Sequence, residues 1–61
     1  MRFKNAKEAA QTGRRDGKTY LAHHGTINRA EVARIDRAAS SAKTMEERMY
    51  WLSYAGVVGR V

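Results

Sequence analysis

The chain has no cysteine and no proline. Without thiols there is no disulfide framework, no thiolate metal site and no cysteine nucleophile, and the redox compartment is left open. Without proline, and with abundant alanine, helix is the favoured local structure. No apolar run approaches the roughly 18 residues of a membrane span, and Met1-Arg2-Phe3-Lys4 lacks the apolar stretch of a signal peptide, so the expectation is a soluble cytoplasmic protein, in the host cytoplasm if viral, with no membrane partner. Large apolar side chains are also scarce: of 26 apolar residues among 61, 10 are alanine. One small domain spanning residues 1–61 is all this length allows, and a core of this size supplies only about 3–5 kcal/mol. Self-association or a protein partner is the expected supplement. Carboxylates are few as well, with 6 Asp+Glu against 12 Lys+Arg, a formal charge of +6. Attraction to phosphate or to an acidic protein face follows.

Three stretches carry a 3.6-residue apolar period, which predicts an all-α, three-helix assembly with helices near 4–24, 28–42 and 44–58, completed by dimerisation. Asn28 is placed to cap the second helix, with Glu31 reaching back to it and Ile27 stapling onto Val32. Val32, Ile35, Ala39 and Ala42 form its apolar stripe, opposite Arg34, Arg37 and Ser41. Thr44 and Glu47 repeat the capping pattern for the last helix, in which Met45, Met49, Leu52 and Gly56 form one face and Tyr50, Tyr54, Val57 and Val58 another, with Trp51 on its flank. A helix apolar nearly all round needs two neighbours, and three elements can hardly supply both.

The first segment admits two readings. As one helix ending at Gly25, it puts Ala6, Ala9, Ala10, Gly13, Gly17, Tyr20, Leu21 and His24 on one face, and the small residues make a flat track for a bulky partner such as Trp51 or Tyr54. Against this, each interior glycine costs about 1 kcal/mol, and Asp16-Gly17 can equally form a tight turn followed by a strand over Lys18–Ala22. The broken version leads to the alternative fold, a ribbon-helix-helix-like dimer.

Charge is concentrated in that segment. Residues 1–30 hold seven Lys/Arg against Glu8 and Asp16, whereas residues 31–61 hold five against four. Lys7, Gln11, Arg14 and Lys18 recur at i, i+4, i+7 and i+11, a row about 16 Å long on a helix. With Arg15, and joined by Arg34 and Arg37, these cations form the expected contact to DNA or RNA phosphates. Tyr50, Trp51 and Tyr54, together with Met49, Val57 and Val58, form the alternative site, a protein interface.

Catalytic chemistry has no visible basis, and neither an enzyme nor a small-molecule substrate is expected. Ser40, Ser41 and Ser53 lack a partnered His and acid, and Gly17-Lys18-Thr19 lacks the glycine five residues before it that a phosphate loop needs. His23 and His24 point about 100° apart on a helix, so no metal or other cofactor is expected; His24 suits the negative end of the helix dipole.

The glycine-spaced basic segment from Ala10-Gln11-Thr12-Gly13 to Gly17 and the Trp51-Leu52 pair resemble the ribosome modulation factors over less than a third of the chain. The Cys-Pro-Tyr stretch of that family is absent, and the sequence is not assigned to it. Size, basicity and the lack of a catalytic set are also usual among phage accessory proteins that bind a host factor. The leading expectation is therefore a basic nucleic-acid-binding accessory or regulatory protein, and the alternative a protein-binding modulator or inhibitor docking through its last helix.

Overall fold

Asn5, Asn28 and Thr44 each start a helix in the same way. Each holds an extended backbone while its side-chain oxygen accepts the N–H three residues on: Glu8 N at 2.8 Å, Glu31 N at 2.9 Å and Glu47 N at 3.1 Å. In every case a carboxylate lies in the first turn, where the helix dipole favours it. The resulting elements are α1 (Ala6–His24), α2 (Arg29–Ser40) and α3 (Met45–Val58). The structure, a computed structural model, describes residues 3–25 and 28–59. Ile27, expected to staple onto Val32, lies outside them.

α1 is one continuous helix through Asp16-Gly17, and no strand occurs among the described residues, which sets aside the ribbon-helix-helix alternative. It stops where a left-handed residue is needed: Gly25 has φ 76° and donates its N–H to Leu21 O at 2.7 Å. The capping box of α2 is half made. Asn28 caps, but the Glu31 carboxylate turns forward to Arg34 instead of back to the cap, drawn by a fork of two charge-assisted hydrogen bonds at 3.1 and 2.9 Å.

α3 lies in the middle. It packs on α1 along one side and on α2 along another, and α1 and α2 do not pack on each other. The chain supplies two neighbours for its apolar last helix, yet they do not cover all of it: Tyr50 and Val58 are buried, whereas Met45 and Leu52 on the other face stay more than half exposed. Ile35 of α2 and Val58 of α3, each 1% exposed, are the largest fully buried side chains. Ala9, Ala10, Gly13 and Gly17 are buried on α1.

The glycines decide how close α1 comes. A β-carbon on Gly13 would collide with the Tyr50 carbonyl and lie 3.2 Å from Ser53 Cβ; one on Gly17 would lie 2.9 Å from Val57 Cβ and 3.2 Å from Tyr54 O. The flat track is therefore real, but what lies on it is the backbone of α3 with Ser53 and Val57, rather than the Trp51 or Tyr54 ring. Small residues let two backbones approach, and the tighter packing offsets the low helix propensity of glycine.

Candidate nucleic-acid interface

With Ala9, Ala10, Gly13 and Gly17 turned to α3, helical geometry sends Lys7, Gln11, Arg14, Arg15 and Lys18 to the outside of α1. All five are exposed. Two threonines on this helix, Thr12 and Thr19, donate to the carbonyls of Glu8 and Arg15 four residues back, so their hydroxyls are satisfied within the helix. The one ion pair of this row among the described residues joins Arg15 to the half-buried Asp16, and it is loose at 3.8 Å. Among the described residues no carboxylate lies within ion-pair distance of Lys7, Arg14 or Lys18. A row of exposed cations with so little internal neutralisation keeps its attraction for external phosphate.

Arg34 and Arg37 do not extend this row. They stand on α2, which does not pack on α1. Arg34 is also committed to Glu31, at 2.9 Å, and the hydrogen bond from Arg34 holds the Glu31 carboxyl below its ordinary pKa. Arg37 is exposed.

The aromatic set is placed differently from a free interface. Tyr50 is 8% exposed and Val58 1%, while Met49, Trp51, Tyr54 and Val57 are half-buried. The rings form a continuous chain: Phe3 stacks on Tyr50 at 5.4 Å, Tyr50 meets Trp51 edge-on at 5.0 Å, Trp51 meets Tyr54 at 5.9 Å, Tyr54 meets Tyr20 at 6.3 Å, and Tyr20 lies 4.4 Å from the His24 imidazole. All five aromatic residues join it, so none is left beside the cations to stack on a base.

The sequence placed Asp16 only in the alternative Asp16-Gly17 turn, whereas here it anchors α1 to α3. The Tyr50 hydroxyl donates to Asp16 Oδ2 at 2.6 Å. Burial and then this bond raise the Tyr50 pKa well above that of an ordinary phenol, since ionising it would bury a charge beside a carboxylate. Tyr54 is shifted upward too, first by burial, then by Tyr20 and Glu31. Asp16 sits three residues after Gly13, on the flank of the buried stripe, where one turn of helical geometry brings it to the edge of the α3 contact. That position was the available signal for it, as the spacing of Asn5 and Glu8 was for the first cap.

No three His, Asp or Glu side chains gather as a metal site among the described residues, and no described helix is long and apolar enough to cross a membrane. No family model, no curated protein and no solved structure matches the chain.

Proposed function

We propose that this protein is a non-catalytic binding module that attaches to nucleic-acid backbone through the outer surface of α1. The observation that carries this reading is the exposed row Lys7, Arg14, Arg15 and Lys18, on a helix whose other face is sealed, with one loose internal ion pair among the four. Contact is to phosphate and not to bases, because the aromatic rings that would stack on bases are engaged with one another, and phosphate contacts carry no sequence information. Four cations spread over about 16 Å match a few consecutive phosphates of one strand.

The test is fluorescence anisotropy with a labelled random-sequence duplex and a single strand, across about 50–300 mM salt. About four neutralised phosphates predict a log–log slope near −3 to −4 on duplex, and Lys7→Ala with Arg14→Ala and Lys18→Ala should flatten it by about 2–3. Arg34→Ala should leave it nearly unchanged. Failure to bind at the lowest salt, or a slope that ignores the triple substitution, would overturn the reading.

A second reading is a protein-binding modulator, of the kind that phage accessory proteins supply against a host factor. Its support lies on α3, which still offers Met45 at 64% exposed and Leu52 at 51% after both neighbouring helices are in place.

A further inference from the structure

α3 is covered by α1 on one side and by α2 on another, and the strip between them is open. Along that strip run Met45, Met49, Leu52 and Gly56, one face at helical spacing, and the two large side chains at its centre and start are more than half exposed. Shallow grooves border it. One of about 260 Å³ lies on the α1 side, with Arg14 beside Leu52, Gly56 and Val57. Another, of about 340 Å³, lies on the α2 side, with Arg48 and Leu52 beside Ala39. A third of about 170 Å³ follows at the α2–α3 turn, where Lys43 and Arg48 flank Met45. Every charged residue lining these grooves is a cation, and no carboxylate lines any of them.

We infer that this strip docks an acidic amphipathic helix of a partner protein, whose apolar stripe lies on Met45 and Leu52 while its carboxylates meet Arg14 on one bank and Arg48 and Lys43 on the other. The inference rests on the protein-binding reading and is independent of phosphate binding, with Arg14 shared between the two surfaces. Charge selects the occupant. A second copy of this chain, arranged about a two-fold axis, would set this cation-lined strip against an identical one, so that Arg14, Arg48 and Lys43 meet grooves whose charged lining is again only cationic. An acidic helix supplies the opposite sign at the same spacing, and methionine beside leucine accommodates different apolar side chains. Leu52 between two arginines is the arrangement of an apolar anchor with a charged rim.

The experiment uses the full chain and three labelled 18-residue peptides with one leucine stripe at i, i+3, i+4 and i+7 and a polar face of Glu, Gln or Lys. Anisotropy should show saturable binding of the Glu peptide at least tenfold tighter than of the Gln peptide, and none of the Lys peptide. Amide shifts should centre on Met45, Met49, Leu52 and Gly56. Leu52→Ser with Met45→Ser should weaken binding at least tenfold, and Arg14→Gln with Arg48→Gln similarly, with helical circular dichroism retained in both. Lys7→Ala with Lys18→Ala, which should weaken nucleic-acid binding, should leave peptide affinity within twofold. Equal binding of Glu and Gln peptides on this strip overturns the acidic partner while sparing a protein-binding role. Failure of all three peptides overturns both. A dimer in sedimentation that Leu52→Ser dissolves would make the occupant a second copy and overturn the inference.

Discussion

Gly13 and Gly17 do at the residue scale what no larger residue can, because each faces backbone or a β-carbon of α3 at a distance that leaves no room for a methyl group. Gly56 is the internal control: nothing lies within 4 Å of where its β-carbon would be. Alanine at position 13 or 17 should therefore destabilise the fold by about 1–3 kcal/mol despite its better helix propensity, whereas Gly56→Ala should stabilise it by about 0.5–1 kcal/mol. Thermal unfolding separates these, and equal effects at all three positions would refute the close-approach argument. Tyr50 gives the second prediction at this scale. Its phenol, held neutral in the fold by burial and by Asp16, has a folded-state pKa above the unfolded one. The stability it contributes is fully present below about pH 10, the ordinary phenol value, and is lost as pH climbs through the raised one. Urea unfolding of the native chain should weaken between about pH 8 and 11 by more than that of Tyr50→Phe, which at the lower pH should itself be about 1–2 kcal/mol less stable for the lost hydrogen bond.

Each element owes its start to one polar side chain. Asn5, Asn28 and Thr44 are exposed, so replacing them removes a backbone hydrogen bond and leaves the core untouched. Asn28→Ala and Thr44→Ala should each cost about 1 kcal/mol, and Thr44→Ser should restore most of the second loss, because the hydroxyl and not the methyl makes the cap. Chemical denaturation checks both. The elements differ in how firmly they are held. α1 meets α3 along a buried stripe of four small residues, whereas α2 meets only α3 and buries Ile35 and Ala39.

For the whole molecule, this makes the α1–α3 pair the stable unit and α2 the element that opens first, so amide hydrogen exchange should be slowest in the middle of α1 and α3 and faster across α2. Uniform protection of all three helices would contradict it. The polarity of the molecule follows the same division. The sealed side of α1 and the aromatic chain hold the fold together, the outer side of α1 carries the unneutralised cations, and the open strip of α3 lies between the two flanking helices. Three jobs are distributed over two helices because each helix has more perimeter than one neighbour can cover.

Local structure was legible in the residues themselves. Caps, stop glycine and apolar period are short-range physics, acting over three or four positions of one chain segment, and Asn28, Thr44, Gly25 and the faces of α3 could be read without any partner in view. The exposure of Lys7, Arg14, Arg15 and Lys18 followed from the same period once α1 ran unbroken. What required the tertiary structure was the choice among neighbours: that Gly13 and Gly17 meet the backbone of α3, that Asp16 accepts from Tyr50 across 34 positions of sequence, and that α3 sits between the other two helices. Period assigns a side chain to a face, but several faces of α3 were equally apolar, and only packing in three dimensions determines which are covered and leaves Met45 and Leu52 outside.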